Sequence, residues 1–494
     1  MKKRITIIAA ALSLMLTGCT SFLNVETLGK STIEGFFEDI DGLKTAGLGL
    51  HRCLLEFYDD EYLRYGDIAA GDNLNLMRVN ADQGLQKIYD FDNLAEDNSG
   101  FPYKVWKEGY SVCTNANNIL YYGQKLLKKF PEQEELIQKH FGYAYFCRAL
   151  MIFDLCNVYA QAYDYTPDAS HPGVVAIDYV PGFEDVLARH TVKQCYDLVI
   201  SDLLSGIECF GGDEVEDPTY ISGLACEALL ARVYLYMGDY DNAVKYSELV
   251  KGKVSLADRS IYVNMFRKAQ DNPGEAILRM NSYDSGTGMR SLCSPVGSPD
   301  VTPAPEFMDK FAADDIRREL FTYVAEKEDG EAYEGKVYTA VCKYLPYKSG
   351  VTNEQNRRSD PFILRASEMY LIHAEAKCRL GDLKAAEEDI KAIRARATGK
   401  YPSEITLSYS GKDGLDRLIQ EERAKELCYE GHRFFDIKRR HEDIVRPAST
   451  TSTLSTLKYP SYLFALPISQ MEMQTNENMI QNEGYIGRKA IGEE

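Results

Sequence analysis

Basic residues, histidine and tryptophan are all scarce in this chain, and each shortage removes a class of function. Its 494 residues hold 56 Lys and Arg against 75 Asp and Glu, a formal charge of −19. An excess of that sign repels phosphate backbones, so nucleic acid is excluded as a main partner. The seven histidines are scattered, none four residues from another, which rules out the helical H-E-x-x-H metal arrangement. G-x-S-x-G and the phosphate-binding P-loop are missing, and Gly286-Thr287-Gly288 lacks the third glycine of a nucleotide loop. Asp90, Asp92 and Asp97 do not follow EF-hand spacing. The twelve cysteines contain no C-x-x-C, so neither a zinc site nor a disulfide framework is expected. Cys113, Cys147, Cys156, Cys226, Cys378 and Cys428 fall inside apolar helical patterns, as small core hydrophobes. No metal and no cofactor is expected. A single tryptophan stands against 34 tyrosines, whose apolar ring and polar tip suit both helix packing and binding surfaces.

What is present begins with a leader. Residues 1–18 combine a basic start, an apolar run from Ile5 to Leu16 and small residues, a secretory signal too short to span a bilayer. Its removal takes Lys2, Lys3 and Arg4 with it and moves the charge from −19 to −22. Leu16-Thr17-Gly18-Cys19 resembles a bacterial lipobox, with cleavage before Cys19 and acylation of that residue. Three acyl chains exceed the two signals needed for stable anchoring, and no later hydrophobic run approaches membrane length. The chain is therefore read as anchored to a membrane and not spanning one.

The mature chain reads as mainly α. Helices are expected over Ile33 to Tyr58, from Trp106 through a periodic apolar segment, over Glu132 to Tyr159, and from Val192 to Ile207 with Thr191 as N-cap. Residues 59–105 read as mixed and turn-rich. Arg148 lies in an apolar run and needs a remote partner, and Asn117 needs backbone partners. Two segments repeat each other: Gly238-Asp239-Tyr240-x-x-Ala243 and Gly381-Asp382-Leu383-x-x-Ala386. Both resemble the turn of a tetratricopeptide hairpin, glycine allowing the turn and alanine a close helix approach. The expected architecture is a tetratricopeptide-like helical-hairpin scaffold with long loop insertions. The division is signal 1–18, an N-terminal helical region 19–252, a loop-rich insertion 253–360 on the ligand side, and a C-terminal helical region 361–494.

Leu415 to Arg439 reads as one helix stopped by Gly431, with Arg423, Glu426 and Glu430 on one face. Charges aligned with Leu415 and Ile419 must pair with each other, or with Arg433, Asp436 and Arg439. Glu421, Glu422 and Glu426 also admit a reading as glycosidase carboxylates, which need a raised pKa on the acid. The surrounding Arg and Lys would lower it, which favours a structural ion-pair network of Arg423, Glu426, Glu430, Arg433 and Asp436. The run from Glu422-Arg423 through Glu426-Leu427, Glu430-Gly431, Arg433, Asp436 and Lys438-Arg439 resembles the C-terminal hallmark of the SusD/RagB family of nutrient-binding outer-membrane lipoproteins. Cys19 to Asn24, Arg189-x-Thr191-Val192, Asp315-x-Arg317-Arg318, and Phe464 to Tyr485 resemble further family elements, in order along the chain.

That resemblance implies a cell-surface lipoprotein of the outer membrane, lipidated at Cys19, that captures a nutrient and delivers it to a SusC-like TonB-dependent transporter. The implied ligand is an oligosaccharide, or in a minority of the family a peptide. It also implies that Trp106 is a core residue and not a sugar platform. Loops contact while scaffolds position, so the ligand-binding candidates are Asp72, Asn73, Tyr283, Arg290, Tyr344, Tyr347 and Arg357, all in expected insertions. No catalytic residue is assigned. A lipoprotein glycan hydrolase and a helical-repeat adaptor binding only protein remain as alternatives.

Overall fold

Apolar periodicity and local caps account for most of the helices in the computed structural model, which describes residues 32–59, 61–77, 83–92, 100–212, 217–267, 273–281, 300–324, 337–344 and 360–486. After a helical turn at Ile33–Phe36 come α1 (Ile40–Asp59), α2 (Glu61–Ala70), α3 (Phe101–Lys129), α4 (Glu134–Tyr159) and α5 (Val192–Phe210). Then follow α6 (Gly223–Met237), α7 (Tyr240–Lys251), α8 (Ala366–Leu380), α9 (Leu383–Thr398), α10 (Gly411–Glu426) and α11 (Arg433–Arg439). The segment 59–105, read as mixed, contains α2 and a further helix at Gln83–Asp90. No helix among the described residues is long and apolar enough to cross a membrane.

Local chemistry sets several ends. Thr191 caps α5 in a capping box with Gln194, and Gly211 closes it with φ +62°. The two Gly-Asp turns are built alike: Gly238 and Gly381 have φ of +74° and +92°, which a Cβ disfavours. Asp239 and Asp382 then accept from Asn242 N at 3.1 Å and Ala385 N at 3.2 Å, starting α7 and α9.

Packing follows chain order. α3 packs on α4, α4 on α5, α5 on α6, α6 on α7, α7 on α8 and α8 on α9, while α1 lies against α3. This is a mainly α, tetratricopeptide-like arc, as the hairpin repeats imply. α4 lies at its centre, and every residue from Phe146 to Tyr159 is buried. Arg148 is affordable there because Asp202 accepts from its Nε and Nη2 at 2.7 Å each, and Asn117 Oδ1 from its Nη1 at 2.6 Å. Asn117 in turn donates to the Tyr179 carbonyl at 2.9 Å.

Strands are short and serve as pins. β1 (Leu74–Leu76) pairs antiparallel with β3 (Val301–Pro303), and β2 (Ala276–Arg279) with β6 (Phe362–Arg365). β4 (Thr322–Val324) pairs antiparallel with β5 (Val337–Thr339). Each ladder thus ties an insertion segment to the scaffold or to its neighbour.

Candidate functional site

α10 does not run to Gly431. It ends at Glu426, and the chain turns through Tyr429 (φ +60°) and Gly431 (φ +82°) before α11. The cause is Asp67 of α2, whose carboxylate accepts from Tyr429 N at 2.9 Å, Gly431 N at 3.2 Å and Asn73 Nδ2 at 2.6 Å. Burial pushes the Asp67 carboxyl up to about 6 against the pull of these bonds. α2 comes so close that a Cβ on Gly66 would lie 2.3 Å from the Gly431 carbonyl oxygen. Gly66→Ala is therefore expected to cost about 2 kcal/mol by overpacking, read by urea denaturation. An unchanged midpoint would refute that contact.

Beyond this turn lies a buried charge hub. Glu426 accepts from Arg365 Nη1 at 2.9 Å, Arg396 Nη2 at 2.7 Å and Tyr262 OH at 3.1 Å, and on its other oxygen from Arg317 Nη1 at 3.1 Å. Glu422 pairs with Arg317 at 2.7 Å, Arg394 at 2.6 Å and Lys425 at 3.1 Å. Glu430 accepts from Lys343 Nζ at 2.5 Å and Arg365 Nε at 2.7 Å. Arg365 also reaches Glu275 at 2.5 Å. Burial alone would raise these carboxyls, but the guanidinium groups of Arg396, Arg365 and Arg317 hold Glu426 well below the usual range. Against the same burial, Arg317, Lys425 and Arg394 bring Glu422 to about 2, and Arg365 with Lys343 brings Glu430 to about 2. Groups held ionised in this way have no proton to give near neutrality, so neither Glu422 nor Glu426 suits the general-acid role.

The pairing differs from the one read off the local spacing. Arg423 does meet Asp436 at 2.8 Å, and Arg439 meets Asp436 at 2.9 Å and Glu375 at 2.7 Å. Glu426 and Glu430, however, take their cations from Arg317, Lys343, Arg365 and Arg396, and Arg433 pairs with Asp72 at 2.7 Å. Glu275, Arg317 and Lys343 fall within the stretch 253–360, expected from the sequence to be loop-rich, and Arg365 just after it. For Lys343 and Arg365, an isolated charge within an apolar run (Val341 to Leu345, Phe362 to Ala366) is the sequence signal that could have found them.

Two backbone bonds pair described ends of these stretches. Met77 N donates to the Asp300 carbonyl at 2.7 Å, so residues 77 and 300 lie side by side. Met280 N donates to the Pro361 carbonyl at 2.9 Å, which sets residues 280 and 361 side by side. Ser449 Oγ closes the rim, donating to Glu306 at 2.6 Å and accepting from Asn75 Nδ2 at 3.1 Å.

Of the ligand candidates, Tyr283, Arg290, Tyr347 and Arg357, like Cys19 and Asp97, lie outside the described residues. Asp72 is held by Arg433. Asn73 is buried against Asp67, and Tyr344, 1% exposed, meets the Phe266 ring edge-on. The structure therefore brings Asp72 and Asn73 together beside the 427–431 turn, and sets Tyr344 inside the core below the rim. Trp106 is also buried, edge-on to Tyr159. Asp90 accepts from Ser452 Oγ at 2.8 Å and Thr453 N at 3.1 Å.

Two family models match the chain. One, the SusD family, covers residues 322–485, and one described as starch-binding associating with outer membrane covers residues 64–235. SusD-like protein P38 of Formosa agariphila is 23% identical over 475 residues, spanning 87% of this chain and 90% of that one. A putative sugar binding protein from Bacteroides vulgatus has a TM-score of 0.76 at 25% identity, over 90% of this chain and 99% of that one. A laminarin binding SusD-like protein has a TM-score of 0.68 at 18% identity, over 90% and 100% of the two chains, a likeness of fold.

Proposed function

Because the chain belongs to the SusD/RagB family, we propose that it is a lipid-anchored receptor of the outer membrane that binds an oligosaccharide and passes it unaltered to a SusC-like TonB-dependent transporter. The observation that carries this reading is the use to which the acidic helix is put. Glu422, Glu426 and Glu430 are spent on fixing the roots of one set of insertions, an arrangement suited to presenting a surface and not to transferring protons. The sugar as ligand is supported by the starch-binding description of the model over 64–235 and by the sugar-binding name of the Bacteroides vulgatus relative. Acylation at Cys19 supplies the anchor.

Tyr283, Arg290, Tyr347 and Arg357 lie in the stretches that follow residues 281 and 344, next to segments that the charge hub fixes, and they are the proposed contacts. Rings stacked on pyranose faces, flanked by hydrogen-bonding groups, hold sugars through apolar and polar contacts together. Protein lacking residues 1–19 is expected to bind a glycan on an array, and Tyr283→Ala or Tyr347→Ala to weaken it about tenfold, ~1.4 kcal/mol. Full affinity in both variants would move the site elsewhere. Shortened products of the bound glycan on chromatography would instead favour a hydrolase. Co-purification with a transporter but no ligand on any array would favour a protein adaptor.

A further inference from the structure

An open groove of about 890 Å³ runs along α3 beside the loop 175–187 and the helical turn Gln470–Thr475. Its lining is largely apolar: Trp106, Tyr110, Ile177, Phe183, Val186 and Met471 take part. Phe183 is fully exposed, and Val186 and Met471 are nearly half exposed. Such a patch on a secreted protein calls for a cover.

The described chain starts next to it. Thr32 caps the helical turn Ile33–Phe36, and this turn is fastened to the far half of α3: Phe37 stacks on Tyr122 with ring centres 4.9 Å apart, and Tyr122 OH donates to Glu34 at 2.9 Å. Lys129 Nζ donates to the Glu38 carbonyl at 2.9 Å. Tyr122 and Lys129 share a helical face with Asn118, Thr114 and Ser111, spaced three and four apart, and the last two line the groove. From Tyr122 to Trp106 is roughly 24 Å along the helix. The twelve residues 20–31 reach about 40 Å extended, enough to follow this stripe and fill the groove. They carry Phe22, Leu23, Val25 and Leu28. Midway, the buried Asn118 Oδ1 accepts no hydrogen bond, and a passing backbone N–H would supply one.

We propose that residues 20–31 of this chain dock in the α3 groove, with Phe22 and Leu23 against Trp106, Phe183 and Met471. The docking needs neither acyl chains nor a glycan, so its failure leaves the receptor reading intact. If the anchor reading also holds, docking shortens the tether from Cys19 and turns one flank of the helical arc towards the membrane.

Trp106 is the only tryptophan, so its fluorescence reports on the groove without labelling. Mature chain starting at Thr20 is compared with its Phe22→Ser, Leu23→Ser double variant. The expected result is weaker acrylamide quenching of Trp106 in the parent. Amide exchange within residues 22–28 is also expected to be at least about tenfold slower there than in the variant. Equal quenching and equal exchange would overturn the proposal. So would quenching that changes on dilution, which would mark a second copy as the occupant, or equal protection of Trp106 by added laminarin oligosaccharides in the double variant and in the parent, which would mark a sugar site. Circular dichroism of the variant is expected to match the parent, because both substitutions precede the described fold.

Discussion

Glu426→Ala should cost roughly 3–5 kcal/mol of stability, the loss expected when one partner of a buried ion pair is removed. Glu426 is completely buried, and three guanidinium groups, those of Arg317, Arg365 and Arg396, converge on it. Removing the carboxylate leaves those cations facing one another at low dielectric with fewer counter-charges. Arg365 keeps Glu275 and Glu430, and Arg317 keeps Asp315 and Glu422, while Arg396 keeps only a longer contact to Glu275 at 3.4 Å, so the damage falls hardest on Arg396 and on the geometry of the group. Glu426→Gln preserves volume but not charge, and should still lose a large part of the same free energy. The exposed pair Arg52–Glu56, 2.8 Å apart on α1, is the control: Glu56→Ala should change stability by less than about 1 kcal/mol. Urea denaturation of the three variants decides the matter. A loss below about 1 kcal/mol for Glu426→Ala would mean that the hub is dispensable.

The second large effect is the dependence of stability on pH. Glu422 and Glu430 stand at about 2 in the folded chain against an ordinary 4.5, and Glu426, Glu375, Glu368 and Asp436 are also lowered. A lowered carboxyl gives stability that is complete above its unfolded value and vanishes as pH falls through its folded value. Glu422 and Glu430 alone contribute on the order of 3 kcal/mol each. Asp67 and Asp154 work in the other direction. Burial raises both to about 6, so between about 4 and 6 the unfolded chain releases those protons first and stability falls as pH rises. The unfolding free energy should therefore climb steeply from pH 2 to about 4.5; above that the two aspartates are opposed by His432, which burial holds down to about 4 and which adds stability as pH rises towards its ordinary 6.5. Asp67→Asn should gain stability relative to the parent as pH rises from about 4 to 6, without moving the acid limb. A difference between parent and variant that stays constant from about pH 4 to 6 would contradict the assignment of Asp67.

What could be read from the sequence was what neighbouring residues decide. The Gly-Asp turns, the Thr191 cap, the buried cysteines and the need of Arg148 for a distant partner all rest on interactions within a few residues or on burial alone. The hub was half legible. Its acidic face follows from a spacing of four, but all its cations except Lys425 sit on β6, α9 and two insertion segments, from 28 to 109 positions away, and no local pattern brings them together. Glu426 ended α10 early for the same reason: the capture of Tyr429 N and Gly431 N by Asp67 is a long-range bond. Tyr344 shows a different failure. Its place in an expected insertion points to the surface, yet Val341 and Cys342 just before it are buried and carry it into the core beside Phe266.

Arg365 lies at the junction of β6 and α8 and is held by three carboxylates from two separate parts of the chain, Glu275 on one side and Glu426 with Glu430 on the other. The spacing between those attachment points is therefore set by the hub and not by the loops that hang from it. Intervening stretches become interchangeable cassettes: each doubling of their length adds only ~0.6 kcal/mol of closure entropy, well below what the hub supplies. Those cassettes can change in length while the helical frame goes on folding unchanged.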